Sequence, residues 1–429
     1  MTPASLSTLP APSVRRSADD DGQIARTAAA RVPVSTHRDR VRAELARYSA
    51  AIGLTGIVRR HGSPLLVLDT ARVREQLDLL RRELPAAHIH FATKALPHPA
   101  VVSTIAEAGA SFEVASRGEI ALLSDAGVDV GRTLHTHPIR SRADVADAYC
   151  SGIRRFVVDN PGELSKLAVL PRDIDVLVRL SFPNPAAGCD LSTKFGATEV
   201  QAAALVEQAI GLGVGVAGFS FHVGSQTTTV APFERAIGRT TRLMSELEAR
   251  TGARFSVLDL GGGFPIGYDE AVPDLAVLGA GIRNAIAASG RNDTVLLEPG
   301  RFVTATAMTL VSRVVGSSDR VDGRWHYLDD GLYGSYSNVL TEGVHPLVFA
   351  ASELSGSSVP EPARERVTLA GPTCDSVDVI ARGVELPVLG EGDLLVSPMM
   401  GAYTSVTASG FNGLEPTPIH VIDAGPLRF

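Results

Sequence analysis

His90-Phe-Ala-Thr-Lys-Ala95 is a short apolar run that ends on a lysine. Residues 89–93 have the length and composition of a buried strand, and Pro97-His-Pro99 stops it. Burying an ammonium is costly. Lys94 is therefore expected to shed its proton and serve as a nucleophile, suited to a Schiff base with an aldehyde cofactor. Taken alone, a strand-end lysine that carries its amine out to solvent is the better reading. The flanking chain reverses that preference.

Outward from this stretch, apolar runs alternate with segments of helical spacing. A first run covers 64–69, and eight more follow at 89–94, 110–116, 133–138, 155–160, 175–182, 216–224, 256–263 and 294–301. Between them lie helix-like segments such as 99–108, 119–126, 142–150 and 200–212, several closed by a glycine, as at Gly109, Gly127 and Gly152. Continuous apolar strands alternating with helices predict a parallel (β/α)8 TIM-like barrel, with an open doubly wound sheet as the alternative. Lys94, Ser116, His137, Asn160, Arg179, His222, Gly261–Gly263 and Glu298 all fall at the C-terminal ends of these runs. In a closed barrel those ends share one mouth, so a single site explains all of them at once.

After residue 302 the helical period fades. Short β-type runs at 308–315, 325–328, 367–370, 393–396 and 420–422 predict a second, mostly β, Greek-key-like C-terminal domain. The expected organisation is a flexible extension over 1–47, a barrel over 64–303, and a β domain built from 48–63 plus 304–429. Within the extension, 37–51 has the spacing of an amphipathic helix with Val41, Leu45 and Tyr48 on one stripe. Residues 352–362, rich in Ser, Gly and Pro, read as an exposed loop. The composition is that of a globular chain, with 45% hydrophobic and 20% charged residues. A net charge of -7 gives no reason to expect nucleic acid or an anionic membrane as partner. No run approaches the ~20 apolar residues that span a bilayer. Cys150, Cys189 and Cys374 are too scattered for a disulfide framework or a metal site and point to a reducing, cytoplasmic setting.

Several stretches carry chemistry. Gly261-Gly-Gly263 behind a strand can turn main-chain N–H groups onto a phosphate, or can simply be a tight turn. Ser225 and Arg301 could reach the same anion. His222 is either a core histidine or a flat ring that stacks on another aromatic plane. Glu298 ends a buried run and needs a cation, which a pyridinium nitrogen would supply while becoming a strong electron sink. Cys374, in Gly371-Pro-Thr-Cys-Asp375, is either a buried structural cysteine or a loop residue presented together with Asp375.

Ten motifs in order are Phe91-Ala-Thr-Lys94, Phe112-Glu-Val-Ala-Ser116, Ser192-Thr-Lys-Phe-Gly196, Phe221-His-Val-Gly-Ser225, Asp259-Leu-Gly-Gly-Gly-Phe264, Glu298-Pro-Gly-Arg301, Asp330-Gly-Leu-Tyr-Gly-Ser335, Gly371-Pro-Thr-Cys-Asp375, Gly401-Ala-Tyr403 and Phe411-Asn-Gly413. Over 64–413 the chain resembles the pyridoxal-phosphate-dependent (fold type III) decarboxylases of the ornithine, lysine, arginine and diaminopimelate group. The resemblance implies a cofactor, pyridoxal 5'-phosphate, and a homodimer with shared active sites. It implies that Lys94 carries the cofactor, that His222 stacks on its ring and that Glu298 meets its nitrogen. Ser225, Gly261, Gly262, Gly263, Gly300, Arg301 and Tyr403 would surround the phosphate. Glu113 stands where the family has an acid near the lysine, and Arg179 and Glu119 match supporting positions. Cys374 of the partner would return a proton to the α-carbon, and Asp375 from the same loop would take a distal ammonium. Phe411 would line the substrate space.

Asp375 favours a basic L-diamino acid of the ornithine or lysine type. The resemblance implies a second acid near the distal amine; basic-diamine decarboxylases often have aspartate there and this chain has Glu342, while the family more often has Asn-Pro with a lysine in the stretch His135-Thr-His-Pro-Ile-Arg140. These departures keep open diaminopimelate, or a larger intermediate of siderophore or antibiotic assembly, as substrate. A racemase is disfavoured by Glu298, since racemases of this fold place arginine on the ring nitrogen. A non-catalytic regulatory homologue is disfavoured by the presence of both Lys94 and Cys374.

Overall fold

The computed structural model describes residues 36–355 and 363–424, so most of the expected extension and much of the 352–362 loop lie outside the described residues. Two helices lead in: α1 (His37–Ala51) and α2 (Leu54–His61). Leu45 and Tyr48 are buried on the inner stripe of α1, as its spacing predicts. The Tyr48 hydroxyl donates to Asp69 at 3.1 Å, and Asp69 in turn caps helix α3 (Thr70–Glu83) by accepting the Ala71 N–H.

The eight later apolar runs form eight parallel strands: β2 (Ala87–Ala92), β3 (Ser111–Val114), β4 (Leu134–His135), β5 (Arg155–Val158), β6 (Asp175–Leu180), β7 (Gly215–Phe221), β8 (Val257–Asp259) and β9 (Thr294–Leu297). They close into a barrel in sequence order, with β9 returning to β2 through the register Ala87↔Val295 and Ile89↔Leu297. Leu134, Val157, Leu177, Val257 and Leu296 form a small core of their own, separate from the larger core. Successive side chains on a strand alternate faces, so the residue two positions further on points the same way. Two positions beyond these five stand Thr136, Asp159, Arg179, Asp259 and Glu298. The apolar plug thus gives way to a polar layer at the C-terminal mouth within one strand repeat.

The first apolar run does not belong to the barrel. Strand β1 (Leu65–Asp69) lies between β10 (Met308–Arg320), which it pairs antiparallel, and β16 (Ile419–Ile422), which it pairs parallel. The expected barrel boundary at residue 64 is therefore displaced to β2, and 48–63, expected in the β domain, is helical. All five residues of β1 are buried on both faces, the same condition as a barrel strand, so an apolar run could not separate the two. The second sheet is completed by β11 (Gly323–Leu328), β12 (Phe349–Ala350), β13 (Arg364–Ala370), β14 (Val379–Pro387) and β15 (Leu394–Ser397), in the order β12-β15-β10-β11-β13-β14. Its pairings are mostly antiparallel, with β11 and β13 running parallel. Among the described residues no helix is long and apolar enough to cross a membrane.

Candidate active site

A cavity of about 300 Å³ opens at the C-terminal mouth of the barrel. Lys94, Glu113, Arg179, His222, Ser225, Gly262, Gly263, Glu298, Gly300, Arg301, Glu342 and Tyr403 all line it. Gly261 lies immediately behind the lining. Its φ is +65°, and a Cβ there would stand 2.4 Å from the Phe221 carbonyl. Gly263 has φ +102°, and its Cβ would meet the Gly224 carbonyl at 2.5 Å. Only glycine fits this loop, which brings main chain to the cavity wall.

Lys94 is not in the strand. Strand β2 ends at Ala92, and Lys94 sits in a single 3₁₀ turn, Thr93–Ala95. The Tyr403 N–H donates to the Ala95 carbonyl at 3.0 Å, which ties this turn to the second sheet. Tyr403 holds φ +56° to do so, a conformation a non-glycine residue adopts only when its surroundings impose it. The lysine amine donates to Glu113 at 2.6 Å, and Glu113, 1% exposed, also accepts from Thr136. The enclosing protein pulls the amine's pKa down. The charges of Glu113, Tyr403 and Glu298 outweigh that and hold it above its ordinary value. The expectation of a neutral lysine is thus corrected: while it faces Glu113, Lys94 is an ammonium. Its side chain keeps 44% of its surface because it stands in an open cavity rather than a dry strand.

His222 accepts the Gly224 N–H on Nδ1 at 3.0 Å. Burial, then the charges of Arg179 and Lys94, push its pKa down to about 3, so it presents a neutral ring. Glu298 is raised well above the ordinary carboxylate range by burial and by the neighbouring Asp259 and Glu113. Asp259 is raised too, chiefly by burial, and its Oδ2 has no hydrogen-bond partner. This pair of buried carboxylates is short of one positive charge, which either a shared proton or a cationic ring nitrogen supplies. Opposite, Arg301 donates to Tyr268 at 3.0 Å and approaches Ser225 Oγ at 3.4 Å beside the glycine loop. An aromatic aldehyde with a basic ring nitrogen at one end and an anion at the other fits these residues.

Not every expected residue arrives here. Ser116 and Asn160 cap helices instead, accepting the N–H groups of Glu119 and Glu163. Their polar side chains serve local structure, which position in a strand–helix unit already favours. Glu119 stays close by, accepting the Ala115 N–H at 2.5 Å. His137 lines the cavity with its ring edge-on to Phe195 at 5.5 Å, whereas Arg140 is buried elsewhere against Glu163 and the Val157 carbonyl. Cys374, Asp375 and Phe411 are absent from the cavity lining. They form a partly exposed group in the loops of the second sheet: Tyr333 donates to Asp375 and stacks on Phe411 at 4.5 Å, and Cys374 Sγ lies 3.3 Å from the Asn412 amide nitrogen. Asp378 shapes that loop, its carboxylate accepting from the main chain of Leu332 and Thr373.

Sequence reasoning gave no site role to Thr136, Tyr268, Cys189 or Phe195, although Phe195 lies within one of the ten motifs. Thr136 was within reach through the two-residue repeat of β4. Tyr268 and the loop of Cys189 and Phe195 arrive by tertiary folding. That loop is tied to the mouth by paired main-chain bonds between Cys189 and Ser225.

Barrel and site together define a pyridoxal-phosphate enzyme of the barrel type. Residues 70–305 match the family model described as the pyridoxal-binding domain of pyridoxal-dependent decarboxylases. The chain is 35% identical over 372 residues to a lysine/ornithine decarboxylase of Selenomonas ruminantium, covering 86% of this chain and 92% of that protein. Its structure resembles the lysine/ornithine decarboxylase of Vibrio vulnificus solved with cadaverine (TM-score 0.81, 39% identity, 86% of this chain and 97% of that one). It also resembles the arginine decarboxylase of Paramecium bursaria Chlorella virus (TM-score 0.80, 28% identity, 87% and 100%). The chain belongs to the pyridoxal-dependent decarboxylases of the ornithine, lysine and arginine group. It is an amino-acid decarboxylase, a carboxy-lyase, and its cofactor is pyridoxal 5'-phosphate.

Proposed function

We propose that this enzyme decarboxylates a basic L-diamino acid of the ornithine or lysine type, giving a diamine and carbon dioxide, as a homodimer that shares its active sites. The observation that carries this reading is the loop that places Cys374 and Asp375 next to each other outside the cavity. Cys374, exposed and hydrogen-bonded to Asn412, and the half-buried Asp375, hydrogen-bonded to Tyr333, both stand outside the cavity of their own chain. The lysine/ornithine relatives add support for the substrate class.

When bound, the cofactor supplies an electron-withdrawing ring that takes up the electrons of the breaking carbon–carboxylate bond. The rest falls to this chain. Lys94 holds the cofactor aldehyde through its amine, and Glu113, within 2.6 Å, exchanges protons with that amine. His222, neutral and flat, would lie against the cofactor ring, Glu298 and Asp259 would favour a protonated ring nitrogen, and Gly261–Gly263, Ser225, Arg301 and Tyr403 would hold the phosphate, with Gly300 giving Tyr403 room. Arg179 borders the substrate at the mouth. Cys374 of the partner subunit delivers a proton to the α-carbon once carbon dioxide leaves, and Asp375 of the partner subunit takes the distal ammonium. Phe411 stacks on Tyr333 and closes the apolar side of that contribution.

The test is steady-state carbon dioxide release from ornithine, lysine, 2,4-diaminobutyrate and diaminopimelate, with Lys94→Ala as the blank. Ornithine or lysine is expected to give the highest kcat/KM. A clear preference for diaminopimelate overturns the assignment.

A further inference from the structure

Glu113 is a buried carboxylate held by two donors, and only one of them is the lysine. Its side chain is 1% exposed, so each oxygen depends on partners inside the protein. One oxygen accepts from the Lys94 amine at 2.6 Å, and the other accepts the Thr136 hydroxyl. Thr136 stands just beyond β4 on the cavity wall and is itself buried. Its N–H donates to the carbonyl of Val114, next to Glu113 in β3, at 3.1 Å, and a β-branched side chain has little rotamer freedom. The hydroxyl is thus fixed by main chain, and it fixes the carboxylate in turn.

The surrounding charges make that carboxylate the centre of the mouth. Enclosure opposes a charge on the amine, while Glu113 foremost, then Tyr403 and Glu298, favour it. Glu119, Asp259 and Glu298 are all raised, by burial first, with the charge on Glu113 adding to it. Of these four carboxylates Glu113 is the one that accepts from two side chains. His137 beyond β4 and His222 beyond β7 are lowered, chiefly by burial and further by Lys94, so neither competes for the proton. Arg179, a second cation, faces His222 and Asp259.

Capture of an aldehyde needs the free amine. One proton passes from the ammonium to Glu113, and the lone pair this frees adds to the carbonyl carbon. The two protons left on nitrogen depart with the carbonyl oxygen as water when the C=N bond forms. A hydrogen bond to the charged form of a carboxylate makes it accept a proton less readily. We propose that Thr136 is a positioning residue whose hydroxyl locks Glu113 onto Lys94 and so restrains the amine from taking up an aldehyde. The role holds whichever amino acid the enzyme decarboxylates.

The test follows capture, not turnover. Pyridoxal phosphate is mixed with full-length, cofactor-free wild type, Thr136→Val, Thr136→Ala and Thr136→Ser from neutral to alkaline pH. The Lys94 adduct is counted by borohydride reduction and mass spectrometry of its peptide. The valine and alanine variants are expected to capture about 10-fold faster at neutral pH, the size of one hydrogen bond to a charged group. That advantage should shrink as pH rises and the amine loses its proton unaided. The serine variant keeps the hydroxyl and is expected to stay within about 2-fold of wild type. Valine and alanine variants no faster than wild type overturn the proposal. A serine variant as fast as valine overturns it too, since packing rather than the hydroxyl would then be responsible. Wild type by itself should capture faster as pH rises, and a flat profile there, which needs no variant to fold, is equally fatal.

Discussion

The barrel mouth and the loop of Cys374 are opposite kinds of surface. At the mouth, groups are held by main chain: the buried Glu113 by its strand, the half-buried Glu298 just past β9, the glycine loop against the Phe221 and Gly224 carbonyls. Around Cys374 the groups are exposed or half-buried and fixed by one another through Tyr333, Phe411 and Asn412. A buried charge must be compensated close by, so the mouth is built from groups of its own chain together with a proton or a cationic ring nitrogen at Glu298 and Asp259. An exposed thiol and a half-buried carboxylate carry no such obligation, so they can be completed by a second copy.

The contrast can be broken most sharply at Lys94. Lys94→Ala is expected to lower kcat by about 10⁴-fold or more while circular dichroism stays unchanged. Cys374→Ala should lower kcat by about 10²-fold, with cofactor absorbance intact, because it lies outside the mouth. Mixing these two inactive proteins and allowing exchange should restore about a quarter of wild-type activity. No recovery would mean that the two surfaces do not meet across a dimer.

Glu298→Gln probes the mouth from its stability side. Burial and the charges of Asp259 and Glu113 raise the Glu298 pKa, so the folded state binds that proton more tightly than the unfolded chain does. This favours folding at low pH, and the benefit is lost as pH rises through the raised value. Glutamine carries no such penalty. Cofactor-free Glu298→Gln should therefore melt about 1–3 °C above wild type at pH 8, with the gap closing as the pH falls. The same change should cost about 10²-fold in kcat through the weakened electron sink. An equal or lower melting temperature at pH 8 would show that Glu298 is already compensated. The smallest effect is expected at Tyr333→Phe, which removes one partly buried hydrogen bond to Asp375: about 2- to 5-fold in KM with kcat little changed. A large loss of kcat there would place Tyr333 closer to the chemistry than the geometry does.

Much of this was legible beforehand because it is periodic or local. The eight runs from residue 89 onward are the eight barrel strands, and the two-residue alternation carries the apolar plug into the polar mouth. What misled was similarity of composition. β1 is as apolar as a barrel strand yet pairs with β10 and β16, and Ser116 and Asn160 look like mouth residues yet cap helices. Lys94 was placed in a dry strand, where desolvation alone would govern it; in the folded chain a carboxylate 2.6 Å away reverses the outcome.

By itself the sequence determined the barrel, the family and most of the residues that line the cavity at its mouth, because strand period and short motifs are written along the chain. Only the tertiary structure decided which sheet takes β1, that Lys94 is charged against Glu113, that Cys374 and Asp375 stand outside their own cavity, and that Thr136 reaches Glu113. Each of those depends on distances between residues far apart in sequence, and charge and hydrogen-bond energies are functions of those distances.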